Sequence, residues 1–340
     1  MRPAPSRLSL AAAVDHLPMK SPFRISGYTF TEAEVVVATL SAGEAEGRGE
    51  ADGVYYLGDD AATILAMIES VREAIEAGAD RAELARLLPA GGARNALDSV
   101  LWDLEARQTG RPVWQIAGLA PPKALLTTFT LGADDPAQMA RGALGFDQAR
   151  ALKLKLTGEA EADIERVRAV RAARPDVWIG VDGNQGFTLD TLDRILPTLV
   201  EARVSLLEQP LARGREADLQ DFDSPIPLAA DESVQCLADI EGLVGRFDVV
   251  NIKLDKCGGL TEGLLMVAEA RRLGLKVMVG CMSGSSLAMA PAFLVGQLCD
   301  LVDLDAPTFL AQDRQPGVVY ADGHVWCGEA VWGAPAVVAA

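Results

Sequence analysis

Three carboxylates each end an apolar run. Asp182 closes Trp178-Ile-Gly-Val, Glu208 follows Ser205-Leu-Leu, and Asp231 follows Pro227-Leu-Ala-Ala. A charged residue after such a run must leave the buried strand that carries it. Three carboxylates brought to one rim repel one another, and a divalent cation resolves that repulsion. No histidine or cysteine lies close by, so the ligands are hard oxygens, which favour Mg2+ over zinc. Taken singly, each acid reads first as the cap of a following helix. Three on successive strands favour the metal.

The lysines supply the complementary chemistry. Lys153 and Lys155 alternate with leucines in Ala151-Leu-Lys-Leu-Lys-Leu156, so both fall on one strand face. Like charges placed side by side lower each other's pKa, and a lysine tuned in that way serves as a base near neutral pH. Lys253 ends Val249-Val-Asn-Ile-Lys. Lys256 reads as a solvated residue or a surface ion pair. Only two histidines occur, His16 and His324, which excludes histidine-rich metal sites and leaves the chemistry to carboxylates and lysines.

The elements that must position these groups follow a period. From about Lys123 onward short apolar runs alternate with helical segments, the pattern of βα units and a parallel sheet. The runs are 125–131, 151–156, 177–181, 204–207, 227–230, 249–252, 276–279 and 301–304, and polar or small residues close them: Lys155, Asp182, Glu208, Asp231, Lys253, Gly280 and Asp303. Functional groups at successive strand ends match a (β/α)8-type barrel, whose active site lies at the C-terminal ends of its strands. A doubly wound sheet would gather its site at one switch point instead. In the barrel, Lys253 on the sixth strand stands across from the second. Residues 1–118 read as α+β. A strand lies at Glu34–Leu40, a hairpin partner at Gly43–Gly53, a helix opens at Asp59 and Asp60, and another runs from Ala93 to Gln108.

Composition narrows the class. Over 340 residues, 31 Lys and Arg face 48 Asp and Glu for a net charge of −17, which argues against nucleic-acid or anionic-membrane partners. Apolar residues make up 49% and charged residues 23%, a globular balance. Five cysteines without a C-x-x-C pair argue against a disulfide framework or a structural zinc site. The N-terminal apolar run is short and broken by Asp15 and His16, and there is no run of about 18 apolar residues. A soluble, cytoplasmic protein is expected, with homo-oligomerisation open. Gly47-x-Gly49-x-x-x-Gly53 leads into Val54-Tyr55-Tyr56 and not a helix, so it reads as a hairpin loop and not a dinucleotide site. Gly284-x-Ser286-x-Ala288 resembles a hydrolase elbow but has only His324 downstream, which argues against a serine triad. Glu232, beside Asp231, reads as a partner for a lysine.

Several motifs in one order resemble the enolase superfamily, in its muconate-lactonizing subgroup. They are the Lys153/Lys155 pair, Val181-Asp-Gly-Asn-Gln185, Glu208-Gln-Pro210, Ala230-Asp-Glu-Ser233 and Asn251-Ile-Lys-Leu-Asp-Lys-Cys-Gly-Gly259. The resemblance implies a (β/α)7β modified TIM barrel at 119–312, an α+β capping domain at 1–118, and a C-terminal segment at 313–340 that returns to the cap. It implies Mg2+ on Asp182, Glu208 and Asp231 and an enediolate formed by a lysine base. It also implies Lys155 and Lys253 as opposed catalytic bases, with Lys153 in support.

Asp303-Leu-Asp305 at the eighth strand resembles the dipeptide epimerases, including L-Ala-D/L-Glu epimerases, in which such a pair holds the substrate ammonium. Two carboxylates on one face suit that task on chemical grounds as well. Tyr28 in the first cap loop and Ser283 in Gly280-Cys-Met-Ser-Gly are the further expected substrate contacts. The resemblance also implies an arginine in the first cap loop where the substrate carries glutamate. That loop reads Ile25-Ser-Gly-Tyr-Thr-Phe30, with Arg24 out of step. Tyr28, Phe30, Tyr55 and Tyr56 suit an apolar or aromatic side chain too. An o-succinylbenzoate synthase or an N-succinylamino acid racemase of the same superfamily, a muconate cycloisomerase and a non-catalytic metal-binding barrel are the alternatives.

Overall fold

The computed structural model describes residues 8–335. The chain begins with an antiparallel sheet of β1 (Leu8–Ile25), β2 (Tyr28–Ala42) and β3 (Ala45–Ala51), in that order. Sequence patterning predicted only part of it and missed β1. That strand shows little alternation, because most of its residues are partly or fully exposed. Pairing with β2 along nearly its whole length holds it in place. Gly47 and Gly49 lie within β3 and not in a loop. A Cβ on Gly47 would sit 2.2 Å from the Val100 carbonyl oxygen, and one on Gly49 2.1 Å from that of Ala96. Glycine there lets the long helix Gly92–Thr109 lie directly on the sheet. A helix at Ala61–Ser70 starts at Asp60, whose carboxylate accepts from the Thr63 amide at 2.8 Å. Ile64, Ile68 and Leu97 complete the cap core against Val36, Ala38 and Leu40.

Eight parallel strands follow in sequential order: Phe129–Leu131, Ala151–Lys155, Trp178–Asp182, Leu206–Glu208, Leu228–Ala230, Val249–Lys253, Lys276–Gly280 and Leu301–Val302. The sheet curls until its ends meet. The Thr128 amide donates to the Val302 carbonyl at 3.0 Å, and the Leu304 amide to Thr127 Oγ1 at 3.0 Å. The fold is therefore α/β, a curled eight-stranded parallel sheet with a separate antiparallel cap, as expected. The helical layer is less regular than the strand period. Strands four and five are followed only by 3-10 turns, at Glu216–Leu219 and Leu237–Leu243. The expected first strand also divides: Leu125–Leu126 pairs antiparallel with His324–Trp326, and only Phe129–Leu131 enters the barrel.

Alternation sorts the second strand by chemistry. Leu152 and Leu154 pack outward with Val167 and Val170 in the main core, which leaves Lys153 and Lys155 facing the barrel interior. A separate cluster of Leu206, Ala229, Val249 and Met278 fills the interior toward the N-terminal strand ends. The C-terminal segment is tied to the cap. Arg314 reaches Asp15 at 2.7 Å and Glu50 at 2.8 Å, and the Trp332 indole donates to the Arg48 carbonyl at 2.8 Å. Among the described residues no helix is long and apolar enough to cross a membrane.

Candidate active site

The C-terminal strand ends and the cap enclose a cavity of about 280 Å³. Asp231 lines its floor, with Asp182 and Glu208 buried beside it, each able to offer an oxygen, all within 4.8 Å of one another. Lysines surround them. Lys153 Nζ lies 3.1 Å from Asp182, 2.8 Å from Glu208 and 2.8 Å from Asp303. Lys155 Nζ donates to Asp182 at 2.6 Å, and Lys253 Nζ to Asp231 at 2.7 Å. Strands two and six place these last two lysines on opposite sides of the barrel. The structure thus brings together six of the strand-end groups singled out in the sequence (Lys155, Asp182, Glu208, Asp231, Lys253 and Asp303), together with Lys153.

Charge is unevenly compensated. Six buried acids (Asp182, Glu208, Asp231, Glu232, Asp303, Asp305) stand among four buried lysines (153, 155, 253, 256). Burial, aided by the Asp182 charge, pushes the Glu208 carboxyl up to about 8. Asp231 goes the other way: burial would raise it, but Lys253 and Lys256 hold it well below the usual carboxylate range. A donor set of three clustered carboxylates fits a hard divalent cation. The expected lowering of the Lys153 pKa is overturned. Burial does oppose its charge, but Asp303, Glu208 and Asp182 outweigh it and hold the ammonium well above the usual lysine value. The fold delivers three acids to the same lysine, from strands three and four and from just past strand eight. Lys253 is likewise raised, with Asp231 overcoming burial.

The acids of the eighth strand are fixed by the first. Asp303 accepts from the Thr128 hydroxyl as well as from Lys153, and Asp305 accepts from the Thr130 amide at 2.6 Å. Burial and the Asp303 charge push Asp305 up to about 7. Ser283 lines the cavity. Tyr28 stands behind the wall, half exposed, with its ring centroid 4.5 Å from that of Tyr55.

Lys256 is the residue the sequence reading missed. It is 3% exposed and donates to the Asp231 carboxylate and to the Asp231 carbonyl, both at 2.6 Å. Its place three residues after Lys253 is the one signal that pointed to it, since a helical turn begins at Leu254 and swings it back to strand five. Asn251 stood in a quoted motif without a role of its own, and its side-chain amide donates to Glu208 at 2.9 Å. Glu232 lies 3.4 Å from the Asn184 amide and does not bond a lysine. Burial and the Asp231 charge push its carboxyl up to about 7. Ser286 bonds Asp313 and starts the helix Ser286–Gly296, and neither His16 nor His324 lines the cavity.

A curled eight-stranded parallel sheet under a separate antiparallel cap, with three buried carboxylates at its strand ends, is the architecture of the enolase-type enzymes. Residues 9–118 match the mandelate racemase / muconate lactonizing enzyme N-terminal domain, and 135–330 the enolase C-terminal domain-like model. The chain belongs to the mandelate racemase / muconate lactonizing enzyme family and is an isomerase. It is similar to the L-Ala-D/L-Glu epimerase of Escherichia coli (strain K12), 38% identical over 308 residues, 91% of this chain and 96% of that one. It is also similar to the N-acetyl-D-glutamate racemase of Pseudoalteromonas sp., 42% identical over 246 residues, 72% of this chain and 76% of that one. Among solved structures, an enolase family member from Agrobacterium tumefaciens with homology to dipeptide epimerases has a TM-score of 0.93 at 41% identity, covering 96% of this chain and 100% of that chain. That structure holds sodium and L-Ala-L-Glu.

Proposed function

We propose that this chain is a Mg2+-dependent dipeptide epimerase that inverts an α-carbon by 1,1-proton transfer. The observation that carries this reading is the placement of Lys155 and Lys253 on opposite sides of one cavity, with Asp303 and Asp305 at its eighth-strand wall. Asp182, Glu208 and Asp231 would hold the ion. When bound, it supplies positive charge to the substrate carboxylate as electron density builds there. One lysine takes the α-proton from its face, and the other delivers a proton to the far face. Lys153, bonded to Glu208 and Asp303, fixes the acids on both sides of it. Asp305 accepts from the substrate ammonium, and the aromatic cap wall excludes water.

The test is turnover of free dipeptides in D2O, read as deuterium incorporation at the α-carbon together with inversion. An N-acylamino acid racemase is the second reading, favoured by the N-acetyl-D-glutamate racemase relative and by the contacts that already satisfy much of Asp303. Faster turnover of N-acetyl or N-succinyl amino acids than of any free dipeptide would replace the first reading with this one, or with the synthase of the same superfamily.

A further inference from the structure

We propose that the side-chain pocket of this site takes an apolar or aromatic residue and rejects an acidic one. This rests on the dipeptide epimerase reading and adds the class of the epimerised residue to it. The cap side of the cavity is an aromatic wall. Phe30 and Tyr55 both line it with ring centroids 5.4 Å apart, and Tyr56 meets Tyr55 edge-on at 5.2 Å. Met282 and Phe309 close the wall from the barrel loops. Burial of a large apolar side chain is the favourable contact such a wall offers.

Cations are absent from this half of the cavity. The lysines that line it are Lys153, Lys155 and Lys253 on the floor, each already within ion-pair distance of a carboxylate, and no arginine lines it among the described residues. The two cap arginines nearest in sequence to the wall point elsewhere. Strand alternation puts Phe23 and Ile25 on the cavity wall and sends Arg24 the other way, to Asp134 at 3.1 Å. Arg48 donates to the Val331 carbonyl at 2.9 Å. Glu32, Glu34, Asp52, Asp59 and Asp60 line the cavity instead. A substrate carboxylate at this wall would lose water, find no counter-charge and face like charge.

Glutamate features in relatives described above, so the acidic dipeptide is the comparison that matters. The experiment measures kcat/KM for L-Ala-L-Leu, L-Ala-L-Phe, L-Ala-L-Lys and L-Ala-L-Glu on the Mg2+-loaded enzyme. The leucine or phenylalanine dipeptide should exceed the glutamate dipeptide by roughly tenfold to a hundredfold, the scale set by burying one such side chain. Phe30→Arg should narrow or reverse that ratio by placing a cation on the wall, and Arg24→Ala should leave it unchanged. If L-Ala-L-Glu is turned over as well as the apolar dipeptides, or Arg24→Ala selectively lowers its rate, the proposal is overturned while the epimerase reading stands. Preference for L-Ala-L-Lys would overturn it as well, since the acids and not the aromatic wall would then set the choice. If no free dipeptide is turned over and N-acylamino acids are, both fall together.

Discussion

Replacing Lys155 by alanine should separate the two halves of the reaction. A positioned general base contributes on the order of 10²–10⁴ in rate, or roughly 2.7–5.5 kcal/mol of barrel-side transition-state stabilisation. Epimerisation needs both faces, so Lys155→Ala should lower it by about a thousandfold. Proton exchange on the Lys253 face should survive. The variant should also stay folded. Removing one partner of a buried pair costs about 3–5 kcal/mol when it strands the other charge, but Asp182 keeps Lys153 at 3.1 Å and the Asn184 amide at 2.9 Å. Lys253→Ala is the mirror case, because Asp231 keeps Lys256 at 2.6 Å. The assay incubates each diastereomer of a substrate dipeptide in D2O and follows loss of the α-proton signal and configuration separately. One diastereomer should exchange in Lys155→Ala, and the opposite one in Lys253→Ala. If both variants lose exchange on the same diastereomer, or either epimerises within tenfold of the parent, the two-base assignment is refuted.

Chelation with EDTA should abolish turnover, and Mg2+ should restore it. At a hundredfold excess over its Kd the ion adds about 2.7 kcal/mol to stability, visible as a rise of a few degrees in Tm. Full turnover after demetallation would refute the metal assignment. Asp305→Asn keeps an oxygen for the Thr130 amide but loses a charge, so free dipeptides should fall about tenfold to a hundredfold in kcat/KM while N-acetylated ones hold. Asp303→Asn should hurt both, because Asp303 pairs with Lys153 at 2.8 Å, and equal losses in Asp305→Asn would count against its role at the ammonium. Burial pushes Asp255 up to about 7 from its ordinary 3.8. The folded chain therefore holds a proton that the unfolded chain releases, and this contribution to stability is lost as pH rises from about 4 to 7. Asp255→Asn keeps an acceptor for Asn95 and the Asp52 amide, so its Tm should fall less steeply over that range than the parent's, and parallel profiles would refute the assignment.

The barrel was legible because burial on a parallel strand leaves few places for charge. An acid or lysine after four or five apolar residues can only stand at the strand end, and the regular spacing of such ends traces the barrel and its rim together. Elements held by pairing left weaker marks. β1 is mostly exposed and leans on β2, so it carries almost no periodicity of its own. The 3-10 turns after strands four and five have no helical pattern to read.

The lysines show where local reasoning stops. Strand alternation correctly put Lys153 and Lys155 on one inward face, since that depends only on the period of the backbone. The sign of the Lys153 shift depends on what the other strands bring. Asp303 lies 150 positions away in the chain and 2.8 Å away in space. Lys256 was misjudged for the same reason: its partner is at the end of strand five, and only the turn after Lys253 brings the two within 2.6 Å. Groups whose role is set by one strand's geometry could be found from the sequence. Groups whose role is set by a charge on another strand needed the closed barrel, and in this site those are the raised Lys153 ammonium and the buried Lys256.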